Sequence, residues 1–348
     1  MPKSEPQFII PFAKPSGITS FTSLWQVKHT LGTKKVGHTG TLDSFADGLL
    51  VLLSGKLTKL VPYITDFDKT YRVLFYFGKE TDTLDPEGNV IAEKPLPVYA
   101  NFISAIRQLT GTIEQVPPVY SAVKQAGERL SDKIRRGETV TVPPRTVTIY
   151  SIDIEEIFYA PEPDTNRENP EMSAVRKVLG AVLCVRCSKG TYIRSLVRDI
   201  AHRCGSAAYV YALRRTAVGP FTLEQAAGFS ALPPFGNAAT YAVNADSTDT
   251  PSDCADSAAV PHSVPNEAIK QAALPLSEAI ARAMHFQTAV LKEQYYAAFM
   301  NGKPISGHWF TSAQPLSDDG TTAVFYEGRC TGLMTKNGNC FRYEAVFN

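Results

Sequence analysis

"VGHTGTLDSFADGLL" runs from residue 36 to residue 50 and sets one carboxylate, Asp43, between a Gly/Thr-rich turn and a run of leucines. An aspartate so placed is a cap, a ligand or a nucleophile, and the three differ in what must surround it. Gly37, Gly40 and Gly48 bracket Asp43. The backbone on both sides can therefore take turns closed to other residues and hold the carboxylate at a loop tip. The stretch lacks the Lys-Ser/Thr ending of a phosphate-binding P-loop, and its Gly spacing alone is weak evidence for one. Taken by itself, the pattern favours a turn residue, and only the rest of the chain can change that reading.

Downstream, "GLLVLLSG" reads as a buried strand and Leu57, Leu60, Val61 and Ile64 as a short helix. Upstream, "FIIPF" reads as a strand, "KPSG" as a turn, and Phe21, Leu24, Trp25 and Leu31 as one face of a helix ending at Gly32. In "TYRVLFYFG" Tyr71, Val73, Phe75 and Phe77 share a strand face. A helix through Phe102, Ile106 and Leu109 stops at Gly111, and "GERLSDKIRRG" (127–137) reads as another helix with a basic side. "RTVTIYSIDIEEI" and "AVLCVRCS" read as strands, and "GTYIRSLVRDIAHRCG" as a turn running into a helix capped by Thr191. Strands followed irregularly by helices predict an α+β fold with a mixed sheet, not a regular βαβ winding.

Residues 236–267 carry five acidic residues, no Lys or Arg, and much Ala, Ser, Thr and Pro, so they cannot bury enough apolar surface to order themselves. They divide the chain into residues 1–235, an acidic linker over 236–267, and a small, mainly β unit over 268–348. A polar insert at 161–174 reads as a surface loop. No apolar run reaches the roughly 20 residues of a membrane helix, and the N-terminus lacks the pattern of a signal peptide. A cytoplasmic protein without membrane contact is expected. Six cysteines are too few for a disulfide scaffold in 348 residues. The pair Cys184/Cys187 lies in an apolar strand-like run with no second Cys or His pair at zinc spacing, so a buried strand is the better account and no metal is expected. Residues 1–228 hold 28 Lys+Arg against 23 Asp+Glu, whereas residues 229–348 hold 7 against 11. The basic excess of the first part permits an acidic partner such as RNA.

Two further segments bear on Asp43. In "CSKGTYIRSLVRDIAHRCG" the helix would present Arg194, Arg198 and His202 as a basic stripe, with Tyr192 beside Arg194 at the turn, a pairing that can clamp a nucleotide. Such a stripe is more often a solvated face. In "DKTYRV" the same-face neighbours of Tyr71 are apolar, so its ring is expected to be buried and its hydroxyl to need a partner or a role.

Together, "KPSG…GHTGTLDSFADGLL…DKTYRV…SKGTYIRSLVRDI…YALRRTAVGPFTLEQA", in order from residue 14 to residue 226, resembles the TruB-type tRNA pseudouridine synthases. The resemblance implies a mixed, mainly antiparallel sheet flanked by helices and conversion of a T-loop uridine of tRNA (position 55) to pseudouridine without cofactor or metal, by a monomer. It implies that Asp43, Tyr71 and Arg194 are catalytic and that His38, Tyr71, Tyr192, Leu213 and Lys14 bind substrate. His38 would support the place vacated by the flipped base. Beyond residue 228 the likeness is faint and points to a small RNA-binding domain of the PUA type. Three positions depart from the family pattern: Ser44 in place of proline, Asp47 in place of a small or hydroxyl residue, and Ala13 in place of an acid. Asp47 would raise the pKa of Asp43 unless it points away.

The residues alone give a compatible chemistry. Arg194 can hold Asp43 ionised as a bidentate partner. Lys34, Lys35, Arg198, Arg214 and Arg215 are available for phosphates. Two alternatives use the same residues differently. A catalytically silent RNA-binding or RNA-folding module would not need Asp43, and a retaining glycosidase would need a second carboxylate about 5 Å away, for which Asp47 is the candidate.

Overall fold

The computed structural model describes residues 5–120, 124–125, 128–129, 136, 142–161, 175–236, 263–312, 315–318 and 320–347. Most of the acidic linker, the insert at 162–174 and most of the basic helix expected over 127–137 lie outside them. Within that last segment Glu128–Arg129 pairs as a strand with Lys124–Gln125 and does not begin a helix.

The chain opens with β1 (Ile9–Lys14), α1 (Ser20–Leu31), β2 (Val36–His38) and β3 (Asp47–Ser54). After a 3-10 turn and α2 (Val61–Thr65) come β4 (Lys69–Phe77), a small hairpin of β5 (Lys79–Thr81) and β6 (Val90–Glu93), α3 (Tyr99–Leu109) and β7 (Gly111–Gln115). Lys124–Gln125 and Glu128–Arg129 are β8 and β9. Next are β10 (Arg145–Tyr159), β11 (Val178–Cys187), α4 (Ile193–Arg203), β12 (Ala208–Val218) and β13 (Phe221–Thr222). The main sheet runs β1-β3-β12-β4-β11-β10-β7, with β2 added to β3 and β13 to β12. Every pairing in it is antiparallel except β3 with β12. This is the mixed, mainly antiparallel sheet that the sequence predicts.

The leucine run explains the centre of the fold. All eight residues of β3 are buried. Leu49, Val51 and Leu53 face one core and Leu50 and Leu52 the other. A strand covered on both faces reads as a continuous apolar run. Its first turn is made possible by Gly48, at φ 106°, where a Cβ would lie 2.4 Å from the carbonyl oxygen of Arg215 on β12. Only glycine fits there, so the turn carrying Asp43 enters the sheet directly beside Arg214 and Arg215. On β4, Val73, Phe75 and Phe77 lie in the core beneath α3 and α4, with Tyr71 packed at its margin. Cys187 is buried and Cys184 half-buried on β11, as a strand with opposite-facing positions requires.

After residue 263 the chain forms α5 (Asn266–Gln271), α6 (Glu278–Ala283), β14 (Gln287–Leu291), α7 (Tyr296–Met300), β15 (Phe310–Thr311), β16 (Thr321–Tyr326), β17 (Arg329–Asn337) and β18 (Cys340–Val346). The last strands form a separate sheet, β15-β14-β16-β17-β18. Asn266 and Glu267, which composition assigned to the linker, begin α5. Leu274 exchanges two backbone hydrogen bonds of 2.8 Å with Ile9 at the edge of the main sheet. Phe286, Ala323, Phe325, Leu333 and Ala345 then share one apolar cluster with Ile9, Leu49, Val51 and Leu53.

Because that cluster spans both sheets, they are expected to unfold together. Phe325→Ala should cost about 3–5 kcal/mol and lower the melting temperature of a single calorimetric transition. Two transitions, only one of them shifted, would show that the sheets are independent.

Candidate active site

The turn before β3 is pinned on both sides of Asp43. The Leu42 N–H donates to Ser20 Oγ at 2.9 Å, and the same hydroxyl donates to the Leu42 carbonyl at 3.1 Å. The Ser44 carbonyl accepts from the Gly17 N–H at 2.8 Å and from Lys14 Nζ at 3.3 Å. Arg215, 2% exposed, reaches under the turn and donates to the carbonyls of Leu49 (2.8 Å) and Gly40 (3.2 Å). The Asp43 side chain is 39% exposed and stands 3.0 Å from Arg194 Nε. Among the described residues it caps no backbone N–H, so the turn does not need its carboxylate for its own hydrogen bonds.

Arg194 lies in the first turn of α4 with a side chain only 5% exposed. Its fork is not spent on Asp43. Nη1 donates to Asp85 Oδ2 at 2.7 Å and to the Thr83 carbonyl at 2.8 Å, and Nη2 donates to the Tyr120 carbonyl at 3.0 Å. Nε faces Asp43 as an ion pair, with an angle too bent for a hydrogen bond. The bidentate contact expected between Arg194 and Asp43 is thus replaced by one guanidinium shared between two carboxylates. Burial pushes the Asp85 carboxyl upward, while the Thr83 hydroxyl, Arg194 and the Glu87 N–H pull it back. The helix start is also held differently from the expected Thr191 cap. Tyr192 is the N-cap, Thr191 Oγ1 donates to the Ser188 carbonyl, and buried Gln115 of β7 binds the backbone of Tyr192 in both directions, at 2.8 and 3.1 Å.

A cavity of about 500 Å³ opens over this turn, lined by Asp43, Tyr71, Tyr192, Arg194 and Leu213 among others. That volume lies in the range that holds a small ligand. Tyr71 sits opposite Arg215 in the β4–β12 register, and Leu213 opposite Val73. Burial pushes the Tyr71 phenol up, partly offset by the charge of Arg215, so the hydroxyl keeps its proton at neutral pH.

Lys14 and His38 do not line the cavity. Lys14 is fully buried and donates to the carbonyls of Pro15, Ile18 and Ser44, which makes it a brace of the turn; burial lowers its pKa to about 8. His38 ends β2, just before the cavity wall begins at Thr39, and burial followed by the charge of Arg215 lowers its pKa. Arg214 and Arg215 are not phosphate contacts, because both are buried. Arg214 forms a two-point pair with Asp47, 2.7 Å at each contact, and so removes the extra charge that Asp47 would otherwise place beside Asp43. Lys34 and Lys35 are exposed. His202 pairs with Glu80 at 2.7 Å, and Arg198 is taken up by Asp199 and the Val116 carbonyl. Sequence reasoning missed Asp85, Gln115 and the cavity-lining Lys69. The segment "ETDTLDPEGN" around Asp85 reads as an acidic surface turn, and its link to Arg194 spans 109 positions.

What the main sheet and the Asp43 turn define together is a pseudouridine synthase, an enzyme that rearranges a nucleotide already bound in its own RNA. The chain belongs to the TruB family: residues 28–193 match the model described as TruB family pseudouridylate synthase (N terminal domain). It is 42% identical over 367 residues to a tRNA pseudouridine synthase B of Treponema pallidum (strain Nichols), covering 99% of this chain and 98% of the relative. The corresponding protein of Treponema denticola is 42% identical over 357 residues, with 97% of each covered. Among solved structures, a chain of a Cbf5-Nop10-Gar1 complex superposes with a TM-score of 0.59 at 22% identity, covering 98% of this chain and 85% of that one. A chain of an H/ACA RNP bound to a substrate RNA containing 2'-deoxyuridine gives 0.60 at 19% identity, with the same coverage. These two show the shared fold.

Lysine carries the charge of Arg194 but a single ammonium cannot face Asp43, Asp85 and two carbonyls at once. Arg194→Lys should therefore lower single-turnover rate by roughly 100-fold, the scale of a displacement near 1 Å, with RNA affinity little changed. Near-normal turnover would show that Asp43 is held by something else.

Proposed function

We propose that this protein converts the uridine at position 55, in the T-loop of tRNA, to pseudouridine, with Asp43 as the catalytic group. The observation that carries the reading is the Asp43 carboxylate itself: among the described residues it caps no backbone N–H, it is backed by a buried arginine, and it faces a cavity of nucleoside size. The relatives named as tRNA pseudouridine synthase B supply the substrate class.

The reaction breaks the bond from sugar C1′ to base N1, turns the uracil over and forms a bond from C1′ to C5. The proton on C5 leaves and N1 ends protonated, so atoms and charge balance with no further reactant. Asp43 acts on the nucleotide, either as a nucleophile or by taking a sugar proton. Arg194, 3.0 Å away, pairs with it and holds its aim. Tyr71 stacks on the uracil, and Tyr192 and Leu213 close the pocket around the detached base. Flipping the uridine out of the loop costs a few kcal/mol, offset by stacking and phosphate contacts. His38, its pKa lowered, offers an uncharged ring to the vacated place. Lys34 and Lys35 are exposed cations available to phosphates, while exposed Lys189 is paired with Asp66 at 2.7 Å. Residues 1–235 form the catalytic unit and residues 268–348 an RNA-binding unit of the PUA type, working as a monomer in the cytoplasm.

Asp43→Asn removes the charge and the reactive oxygen while keeping size and turn preference. The variant should fold, bind unmodified tRNA transcript at near-normal strength and form no pseudouridine, since loss of an essential nucleophile costs many orders of magnitude in rate. Single-turnover conversion measured beside filter binding decides it. Activity persisting within roughly tenfold would make Asp43 structural and revive the silent RNA-binding alternative.

A further inference from the structure

The loop over residues 82–89 meets the turn carrying Asp43 at two places. At the first, Asp85 Oδ2 lies 2.7 Å from Arg194 Nη1, the guanidinium that also faces Asp43. At the second, Ser44 Oγ donates to the Glu87 carboxylate, 2.8 Å from Oε1 and 2.9 Å from Oε2. The Glu87 N–H donates to Asp85 Oδ1 at 3.1 Å. A ring is thereby closed: Asp43 to Arg194, to Asp85, to Glu87, to Ser44, and back to Asp43 through one peptide bond.

The loop is stiff enough to transmit a position. The Thr83 hydroxyl donates to Asp85 Oδ1 at 2.5 Å, and the Asn89 N–H donates to Asp82 Oδ1 at 3.0 Å. Leu84, 5% exposed, sits at φ 62°, a conformation a branched side chain adopts only where its surroundings enforce it. A Cβ on Gly88 would lie 2.2 Å from Thr83 Oγ1, so the loop closes on itself without slack. The turn opposite is less complete. Its Ser44 carbonyl is pinned, but among the described residues the Ser44 N–H makes no backbone hydrogen bond, so the peptide after Asp43 is held by the backbone on one side only. The Ser44 hydroxyl supplies the missing restraint.

We propose that Ser44 and Glu87 form a positioning latch that fixes the aim of Asp43 at the cavity. This rests on the reading of Asp43 as the catalytic group. Neither latch residue lines the cavity, so the latch acts through Asp43 and not on the nucleotide.

The test is single-turnover pseudouridine formation and filter binding with the full chain and unmodified tRNA transcript. It compares Ser44→Ala, Glu87→Ala, Glu87→Gln and the Ser44→Ala/Glu87→Ala double variant, with Asp43→Asn alongside. Each alanine variant should lose roughly three- to tenfold in rate at saturating protein, with Kd within about twofold of the parent. The double variant should be no slower than either single one, because both break the same bond. Glu87→Gln keeps an acceptor for the hydroxyl and should retain the parent rate. Full activity of the alanine variants, additive losses in the double variant, an equal loss in Glu87→Gln, or a loss of affinity in place of rate would each overturn the latch. Should Asp43→Asn itself turn over, the catalytic reading falls; should it be inactive while the latch variants match the parent, only the latch does.

Discussion

A guanidinium does not release its proton to escape burial, so Arg194, at 4% exposure, brings a permanent charge into the interior. Such a charge is tolerated only when its donors and its charge are both answered. Asp85 and the carbonyls of Thr83 and Tyr120 do this from one side. Those contacts draw together the β5–β6 loop, the segment after β7 and the start of α4, elements separated by up to 111 positions. What is left of the guanidinium, its Nε edge, faces Asp43. The site can thus be viewed as a consequence of housing this one charge. The fold commits three of its loops to Arg194, and the Asp43 carboxylate stands beside the edge that those loops leave over.

The same logic explains why extra charges near the site do no harm. Asp47 is four residues from Asp43 and nearly buried, yet β3 and β12 run parallel at that point and place Arg214 directly opposite. A planar fork meets a planar carboxylate there, the geometry in which such a pair is strongest. Arg214 also lies over the Phe235 ring at 5.2 Å. Asp43 and Asp47 therefore have separate cations, and the glycosidase reading, which needs both carboxylates free to flank a substrate, loses its second group.

Much of this was legible in the sequence where local pattern and outcome share a cause. The leucine run of β3 is continuous because both faces are covered, and the alternation in β4 puts Tyr71 on the core side of its strand. Asp43, Tyr71, Tyr192, Arg194 and Leu213 do meet in one cavity. The failures have a common physical root, since a sequence does not show which through-space neighbour a polar group finds. Arg214 and Arg215 look like free cations on a strand until Asp47 and the carbonyls of Gly40 and Leu49 are in place. The N-cap falls on Tyr192 instead of Thr191, and its backbone is held by Gln115, from a strand 77 positions away. Composition set residues 236–267 apart as a linker, yet Val264 within that range is a buried member of the core, and composition carried no information on whether the chain beyond packs back, as Leu274 and Phe325 do.

The turn itself shows how little of its stability comes from the residue it displays. Leu42 is fixed by Ser20, Ser44 by Gly17 and Lys14, and the carbonyls before Asp43 by Arg215. Lys14 is held so deeply that its pKa falls to about 8, a cost the fold accepts in order to brace three carbonyls with one ammonium. A side chain that contributes nothing to its own loop is free to be chosen for chemistry alone. That separation is what distinguishes a displayed carboxylate from a capping one, and it is the physical reason the aspartate in "GHTGTLDS" reads differently once its neighbours are known.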